Sequence, residues 1–413
     1  MPNDIHRAQG TKVCVAPDAR SSQVGLAILR RGGNAFDAVV AAGFLEAVVE
    51  PHNCGIGGYG AVGVGYSARD GSTFALDANT LAPALARPGM FPVIPSRDPN
   101  NYKFPNDRHK TGPLSVGVPG VLGGLCALHA RHGRLPLKSV MQPAIDLASE
   151  GPVLTAGRRK TWVELKKAAG DPIDPKLAEL AARSGDAPLP MPLLAETLRA
   201  IAELGAKHFY EGTLGHRIAD FVQSQNGILR RGDLAAFQPL WPAPVHHETG
   251  PHRLFTPPPA TGGLTSLQTI AILERLKSTN QLGPAGGPAW FEGFLETLKV
   301  VWEHRLTTLA DPPAMRRSPQ EELGSETLDR MAEDARRGLR SPQKGRIVAP
   351  DPLLGTAHLA AADSEGNLIA WTQTHGGGFG SKVMVAGTEI VLGHGMCRFE
   401  PRQGWANSVA PGK

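Results

Sequence analysis

A threonine that directly follows a glycine, in the last part of the sequence, has the residue type and setting for nucleophilic chemistry. The tetrapeptide Gly-Thr-Ala-His occupies residues 355–358 and begins a segment of strand-like composition. Threonine is a poor nucleophile at its ordinary pKa and needs a base beside it. Cleavage between Gly355 and Thr356 would free the α-amino group of Thr356, which titrates at roughly 7.7–8.0 and can act as that base. By itself, however, such a tetrapeptide is far more often an ordinary strand start.

A glycine-rich segment at residues 55–60 reads Gly-Ile-Gly-Gly-Tyr-Gly and matches the pattern of dinucleotide-binding loops, with Asp77 downstream. Such loops work because a strand leads into them and a helix N-terminus receives the pyrophosphate. Here residues 48–51 (Val-Val-Glu-Pro) lead in, and strand-like residues follow. The segment therefore indicates a tight turn with close backbone packing, and a nucleotide-binding oxidoreductase remains a distant alternative.

Other residue types with chemical potential have no suitable partners in the sequence. His246, His247 and His304 have no third ligand at the spacing of a metal site, so we predict no metal and no cofactor. A Gly-x-Ser-x-Gly elbow of the serine hydrolases is absent from the sequence. The cysteines are scattered without metal-binding spacing, and we interpret them as free thiols: Cys14, Cys54, Cys126 and Cys397.

The elements that must position these residues alternate in type along the chain. Helical periodicity at residues 22–49, broken at Gly32 and Gly33, predicts two helices, and paired strands follow at 61–66 and 73–76. Further helices are predicted within 120–147 and at 194–204, 218–225 and 264–277. The charged stretch 305–346 is consistent with a solvated helix or a mobile linker.

Short strands return in the last part of the sequence, at residues 358–362, 368–374 and 383–385, with a hairpin turn at 363–367. Strands, then helices, then strands predict an α+β layered sandwich whose sheet combines segments that are distant in sequence.

Composition limits the partners of the protein. With 43 Lys+Arg against 38 Asp+Glu, the chain has a net charge of only +5, and no basic run concentrates it. We therefore expect no nucleic-acid partner. No signal peptide and no apolar stretch of bilayer length is apparent in the sequence. We expect a cytoplasmic protein without a membrane contact, or a periplasmic one if an export signal precedes this sequence. The sequence is compatible with a homo-oligomer.

Several blocks of the sequence together resemble the γ-glutamyltransferase family, in the family's order and over essentially the whole chain. The blocks are GLAILRRGGNAFDAVVAAGFLEAVVEPHNCGIGGYG, GPLSVGVPGVLGGL, FYEGTLGHRIADFVQSQNGILRRGDLAAFQ, PPPATGGLTSLQTIAILE, ETLKVVWEHRLTTLADP and GTAHLAAADSEGNLIAWTQT. The last block is similar to the start of the family's small subunit, where the nucleophilic threonine becomes the new N-terminus.

The resemblance implies a fold, a processing site and catalytic residues. The fold is the four-layer αββα sandwich of N-terminal nucleophile hydrolases, here incomplete at the C-terminus. Residues 1–355 would form the large subunit and residues 356–413 the start of the small subunit, intertwined in one domain. Thr356 takes the role of self-cleaving and acyl-accepting nucleophile, and Thr374, eighteen residues later, holds its hydroxyl and amine. Gly376 falls at a substrate-binding position, and the substrate is a small-molecule amide.

Two positions depart from the family's pattern for recognising a γ-glutamyl donor. Where the family has an arginine that grips the α-carboxylate, this chain has Asn79. Where the family has an aspartate that pairs with the α-ammonium, this chain has Arg398, so the charge is reversed. A cation at this position repels an ammonium and suits a carboxylate. The resemblance implies a γ-glutamyl-type or related amide donor with water or an amine as acceptor, and these two departures favour, as the alternative, an oxamate-type or dicarboxylate-monoamide donor rather than glutathione.

The family's pattern continues past the residue at which this sequence stops, Lys413, into a serine pair and a double-glycine loop that supply the oxyanion hole. Loss of one oxyanion donor costs about 10²–10³ in rate, so a chain without these elements is expected to be poorly active. The alternative to an amidohydrolase or acyltransferase precursor is accordingly a shortened, non-catalytic remnant of the same family.

Overall fold

A five-stranded antiparallel sheet with the strand order β1-β6-β7-β2-β3 lies at the centre of the structure. The computed structural model describes residues 10–94, 104–153, 162, 188–340 and 354–413. The strands of this sheet are β1 Val13–Val15, β2 Gly60–Ser67, β3 Ser72–Asp77, β6 Leu354–Ala362 and β7 Leu368–Gly377. Segments separated by more than 300 residues therefore share one sheet, because β2 pairs with β7 from Gly60 opposite Thr374 to Tyr66 opposite Leu368.

Helices and two small hairpins complete the described chain. The helices are α1 Ala19–Arg30, α2 Ala35–Val49, α3 Val121–His132, α4 Leu137–Glu150, α5 Pro192–Leu204, α6 Ala206–Tyr210, α7 Thr213–Ser224, α8 Arg231–Ala235, α9 Gly263–Ser278, α10 Pro288–Thr308 and α11 Ser325–Arg340. The hairpins pair β4 Val245–Thr249 with β5 His252–Thr256, and β8 Val383–Val385 with β9 Ile390–Leu392. No helix in these parts of the chain combines the length and apolar character needed to cross a bilayer.

Helix α2 is buried along its whole length, and its sequence explains why. It reads AFDAVVAAGFLEAVV, and a helix that is apolar on all sides belongs in a core. Its first turn is closed by a capping box, in which the Asn34 side chain accepts from the backbone N–H of Asp37 and the Asp37 carboxylate accepts from the N–H of Asn34. The helix thus begins at a defined residue in the protein interior.

Helix α2 and strand β7 approach each other closely at Gly43. A Cβ atom at Gly43 would lie 2.9 Å from the side-chain oxygen of Gln373, so a larger residue would force this side chain to move. The Gln373 amide in turn donates to the Gly43 carbonyl at 2.9 Å. Gln373 and Trp371 therefore face the helices, and the alternation of a strand places Thr372 and Thr374 on the opposite face.

A second apolar cluster is built from α9, α10 and α11, with Leu267, Ile272, Val301, Leu328 and Met331 in its interior. Helix α11 falls within the charged stretch 305–346; its apolar side chains pack into this cluster and most of its charged side chains face the solvent. Residues 341–346 lie outside the described chain. The importance of this cluster for the site is that it orients α10, whose last turn carries Arg305.

The predicted helices and strands are confirmed, including the break between α1 and α2 and the hairpin turn between β6 and β7. The α+β class is confirmed as well. Of the four layers that the resemblance implies, the described residues form a helical layer and the five-stranded sheet. The β4–β5 hairpin, which was not predicted from the sequence, lies between the helices predicted at 218–225 and 264–277.

Candidate active site

Thr356 lies near the start of β6, with an exposed side chain and a hydroxyl that contacts the preceding peptide bond. Its hydroxyl oxygen is 2.8 Å from the carbonyl oxygen of Gly355 and 3.0 Å from the hydroxyl oxygen of Thr374. The two threonines that the sequence separates by eighteen residues therefore meet across neighbouring strands. This arrangement places a hydroxyl next to the carbonyl group that it would have to attack in self-cleavage.

Thr374 connects the nucleophile to the backbone around it. Its hydroxyl donates to the carbonyl oxygen of Gly355 at 2.9 Å and accepts from the backbone N–H of Gly376 at 2.8 Å. Because the proton of the Thr374 hydroxyl points at Gly355, the second lone pair of the Thr374 oxygen can accept the hydroxyl proton of Thr356. A donor aimed at a carbonyl oxygen is positioned to stabilise negative charge that develops there.

Strand pairing places Thr356 opposite Thr374, next to a bulge. The register of β6 with β7 shifts between Gly355 and Ala357, so Thr356 lies opposite both Thr374 and His375. The extra residue is on β7, and a bulge of this kind bends the strand that carries it. The alternation of β6 itself places the Thr356 side chain on the exposed face of the sheet.

Glycine is required before the nucleophile because another side chain occupies the space of a Cβ atom. A Cβ atom at Gly355 would lie 1.8 Å from the side-chain oxygen of Asn53. Asn53 is itself held by Glu50, whose carboxylate accepts from the Asn53 amide, and its carbonyl accepts from the N–H of His375 at 2.9 Å. The scissile residue is thus packed against a fixed amide group.

A pocket of about 410 Å³ lies beside the threonines and contains the three predicted substrate-binding residues, Asn79, Gly376 and Arg398. Gly376 joins the pocket to the nucleophile through its N–H bond to Thr374. Asn79 lies next to the same strand, since a Cβ atom at Gly60, the cross-strand partner of Thr374, would be 2.9 Å from the Asn79 side-chain oxygen. Sequence positions that are more than 300 residues apart are therefore brought into one cavity.

Asn79 is hydrogen-bonded to the neighbouring carboxylate of Asp77. Its backbone N–H and its side-chain amide both donate to one carboxylate oxygen of Asp77, each at 2.9 Å. Burial raises the pKa of Asp77 above its usual range, although these hydrogen bonds oppose the shift. The amide therefore braces Asp77 and offers no cation at the position where the family pattern has an arginine.

Arg398 lies at the end of a short 3₁₀ turn, Gly395–Arg398, and its side chain is exposed at the pocket. Its guanidinium carbon is 5.7 Å from the centre of the Tyr59 ring, within the range of a cation–π contact. One of its nitrogens donates to the carbonyl of Ala260 at 3.4 Å. Within the described chain it forms no ion pair, so its charge is available to a ligand.

Sequence reasoning missed three further residues of the pocket, Arg305, Asp311 and His394. Arg305 and Asp311 fall within one of the blocks that carry the family resemblance, but nothing in that block indicates that its side chains reach the site. His394 receives the N–H of Gly377 on Nε2 at 2.7 Å and donates from Nδ1 to the Lys110 carbonyl at 3.0 Å. Burial lowers the pKa of His394 to about 4, so the ring is neutral and holds the backbone next to Gly376.

The glycine-rich segment and two of the histidines considered from the sequence have structural roles. Residues 55–60 form the turn into β2, and a Cβ atom at Gly58 would lie 2.7 Å from the carbonyl oxygen of Thr374, which agrees with the predicted close backbone packing. His247 contacts Glu274 at 3.0 Å and His304 contacts Glu322 at 2.7 Å. Among the described residues, no group of three His, Cys, Asp or Glu side chains is placed to hold a metal ion.

Comparison with known proteins gives a consistent result. The family model described as gamma-glutamyltranspeptidase matches residues 21–413. Glutathione hydrolase 2 of Arabidopsis thaliana is 33% identical over 96% of this chain and 69% of its own length. The acylase ACY 1 proenzyme of Pseudomonas sp. (strain V22) is 32% identical over 95% of this chain and 70% of its own length. The crystal structure of cephalosporin acylase from Bacillus halodurans superposes with a TM-score of 0.82 at 26% identity, covering 100% of this chain and 76% of that one.

Proposed function

The chain belongs to the γ-glutamyltranspeptidase family, within the N-terminal nucleophile hydrolase superfamily, and from that premise we propose that it is a precursor that cleaves itself between Gly355 and Thr356. The new N-terminal threonine then acts as the nucleophile of an amidohydrolase or acyltransferase. The observation that carries this proposal is the contact of the Thr356 hydroxyl with the Gly355 carbonyl at 2.8 Å and with the Thr374 hydroxyl at 3.0 Å.

Self-cleavage proceeds by an acyl shift from nitrogen to oxygen. The Thr356 oxygen attacks the carbonyl carbon of Gly355, the peptide C–N bond breaks, and the hydroxyl proton passes to the departing nitrogen. Thr374 supports this step because its hydroxyl already donates to the oxygen on which negative charge develops. Water then hydrolyses the ester, leaving a carboxylate at Gly355 and a free amine on Thr356. Relatives such as the acylase ACY 1 proenzyme are named as precursors, which supports this proposal.

Turnover uses the amine that cleavage has released. An α-amino group titrates at roughly 7.7–8.0, so near neutral pH a substantial fraction can take the proton of the Thr356 hydroxyl. The oxygen attacks the acyl carbon of a small-molecule amide, the amine of the substrate leaves with the proton, and an ester remains on Thr356. Water or a second amine then accepts the acyl group.

The two parts of the cleaved chain would remain joined through the sheet. Strands β1, β2 and β3 belong to residues 1–355, whereas β7 and almost all of β6 follow the cut. Because β6 pairs with β1 and β7 pairs with β2, the two strands of the small part lie between strands of the large part on both sides. We infer that the large and small subunits form one intertwined domain.

The donor is proposed to be an amide whose acyl group carries a carboxylate, as in the monoamide of a dicarboxylic acid. The relatives include both glutathione hydrolases and acylases, so membership of the family leaves the donor open. The observation that favours an acylase-type donor is the exposed guanidinium of Arg398 in the pocket, which forms no ion pair with any described residue, together with an amide rather than a guanidinium at Asn79. Guanidinium groups bind carboxylates through two parallel hydrogen bonds.

The position of the cut tests the proposal directly. We expect two fragments, with the smaller one beginning at Thr356, when the purified protein is incubated and analysed by intact mass and N-terminal sequencing. A fragment that begins at any other residue would remove Thr356 from the mechanism.

Replacing Thr374 by valine should slow self-cleavage by about 10²-fold, because misplacement of a reacting group by about 1 Å has an effect of this size. The change preserves the shape of the side chain but removes the hydroxyl that contacts Thr356, Gly355 and Gly376. The rate is followed by the disappearance of the intact chain on denaturing gels. Thr372→Val is the matched control, since Thr372 is on the same face of β7 and bonds to His358 instead. Equal rates for the two variants would contradict the role of Thr374.

A further inference from the structure

Arg305, in the last turn of α10, projects into the same pocket as Arg398, although it comes from a different apolar cluster of the protein. One of its nitrogens, Nη1, donates to the carbonyl of Thr261 at 3.0 Å and to the hydroxyl of Thr265 at 2.8 Å. No hydrogen bond or ion pair involves Nε or Nη2 in the part of the chain that the structure describes. The guanidinium is therefore anchored at one end and open at the other.

The same loop holds both arginines. Ala260 and Thr261 are adjacent, and the carbonyl of the first accepts from Arg398 while the carbonyl of the second accepts from Arg305. Burial lowers the pKa of Arg305, and the nearby charge of Arg398 lowers it further. Two neighbouring cations that share no acid partner raise the free energy of the empty pocket, and an anion between them would reduce it.

Two acids also line this pocket, and the charge of Arg398 acts on one of them, Asp77, by opposing the rise of its pKa. Asp77 uses one carboxylate oxygen to hold Asn79, and Asp311 lies near Lys413. Burial raises the pKa of both carboxyl groups. Within the described residues, neither acid forms an ion pair with Arg305 or Arg398.

We propose that Arg305 is a second specificity-determining residue, which together with Arg398 binds the carboxylate at the far end of the acyl donor. Arg398 is exposed, so water screens its attraction for an anion, whereas the half-buried Arg305 provides a less screened charge with a fixed orientation. Leu306 and Leu309 line the pocket as well and offer an apolar surface for the methylene groups of such a donor. This inference rests on the proposed function, because it specifies the substrate of the same site.

Equilibrium binding of glutarate, measured by calorimetry at low ionic strength, tests the proposal without requiring turnover. We expect Arg305→Gln to weaken glutarate binding by about tenfold to a hundredfold, the range for loss of a hydrogen bond to a charged group. Arg305→Lys should retain part of the affinity, since it keeps the charge but not the planar fork. Arg253→Gln is the matched control, because Arg253 is an exposed arginine on β5 that pairs with Glu248 outside this pocket.

The neutral diamide glutaramide separates loss of charge from collapse of the pocket. Its affinity should be unchanged by Arg305→Gln, whereas an equal loss for glutarate and glutaramide would mean that Arg305 only supports the loop at residues 260–261 and would overturn the proposal. Unchanged glutarate binding in Arg305→Gln, or no glutarate binding by the wild-type protein, would also overturn it. Neither result would affect the cut at Thr356, which fragment sequencing decides independently.

Discussion

The Thr356→Ala variant is expected to remain a single uncut chain without amide hydrolysis, whereas Thr356→Ser should still be cleaved. Alanine removes the hydroxyl oxygen that lies next to the Gly355 carbonyl, and loss of a catalytic nucleophile reduces turnover by about 10⁶-fold in a hydrolase. Serine keeps the hydroxyl, and it lacks only the methyl group that restricts rotation of the threonine side chain. Cleavage is measured by intact mass after prolonged incubation. Amide hydrolysis is measured by the release of a coloured aniline from an anilide substrate.

His358→Ala is the control for this experiment. His358 lies two residues farther along β6, is exposed like Thr356, and bonds only to Thr372 through Nδ1. Its loss should leave both cleavage and hydrolysis near the wild-type rate. Cleavage of Thr356→Ala at the same peptide bond would show that another group performs the attack and would refute the proposed mechanism.

A glutaryl anilide is expected to be hydrolysed about 10²-fold more efficiently than the γ-glutamyl anilide of the same amine, as judged by kcat/KM. The two donors differ only in the α-ammonium group of the glutamyl chain, which would lie against the positive charges of Arg398 and Arg305. A contact between like charges in an interface costs several kcal/mol. Because Arg398 is exposed, solvent and salt screen the repulsion, and we expect a cost of about 2.7 kcal/mol. A difference of this size in activation free energy corresponds to about 10²-fold in kcat/KM.

Reversing the charge should reverse the preference. Arg398→Asp restores an acid at the position where the family pattern has one, so the advantage of the glutaryl donor should shrink or invert. Arg87→Asp makes the same change of charge at an exposed arginine that does not line the pocket, and it should leave the ratio of the two donors unaltered. Efficient turnover of the γ-glutamyl anilide by the unaltered protein would refute the argument about the donor while leaving the nucleophile untouched.

The contact between the two threonines was predictable from the sequence because it depends on local structure. A turn at residues 363–367 joins two strands, and antiparallel pairing outward from that turn brings position 356 close to position 374. The apolar sequence of α2 likewise identifies a buried helix before any coordinates are known. In both cases the decisive interactions are between residues that are close along the chain or belong to one element.

Only the tertiary structure determined how the pocket is assembled. Arg305 belongs to a helix in a separate apolar cluster, Asn79 follows β3, and Arg398 lies in a 3₁₀ turn, so no periodic pattern relates them. The close packing of Asn53 against Gly355 depends equally on a contact between distant segments. The sequence thus specified the nucleophile and its partner through strand pairing, whereas the charge around the donor arises from long-range packing, which residue type and spacing along a chain do not encode in a readable form.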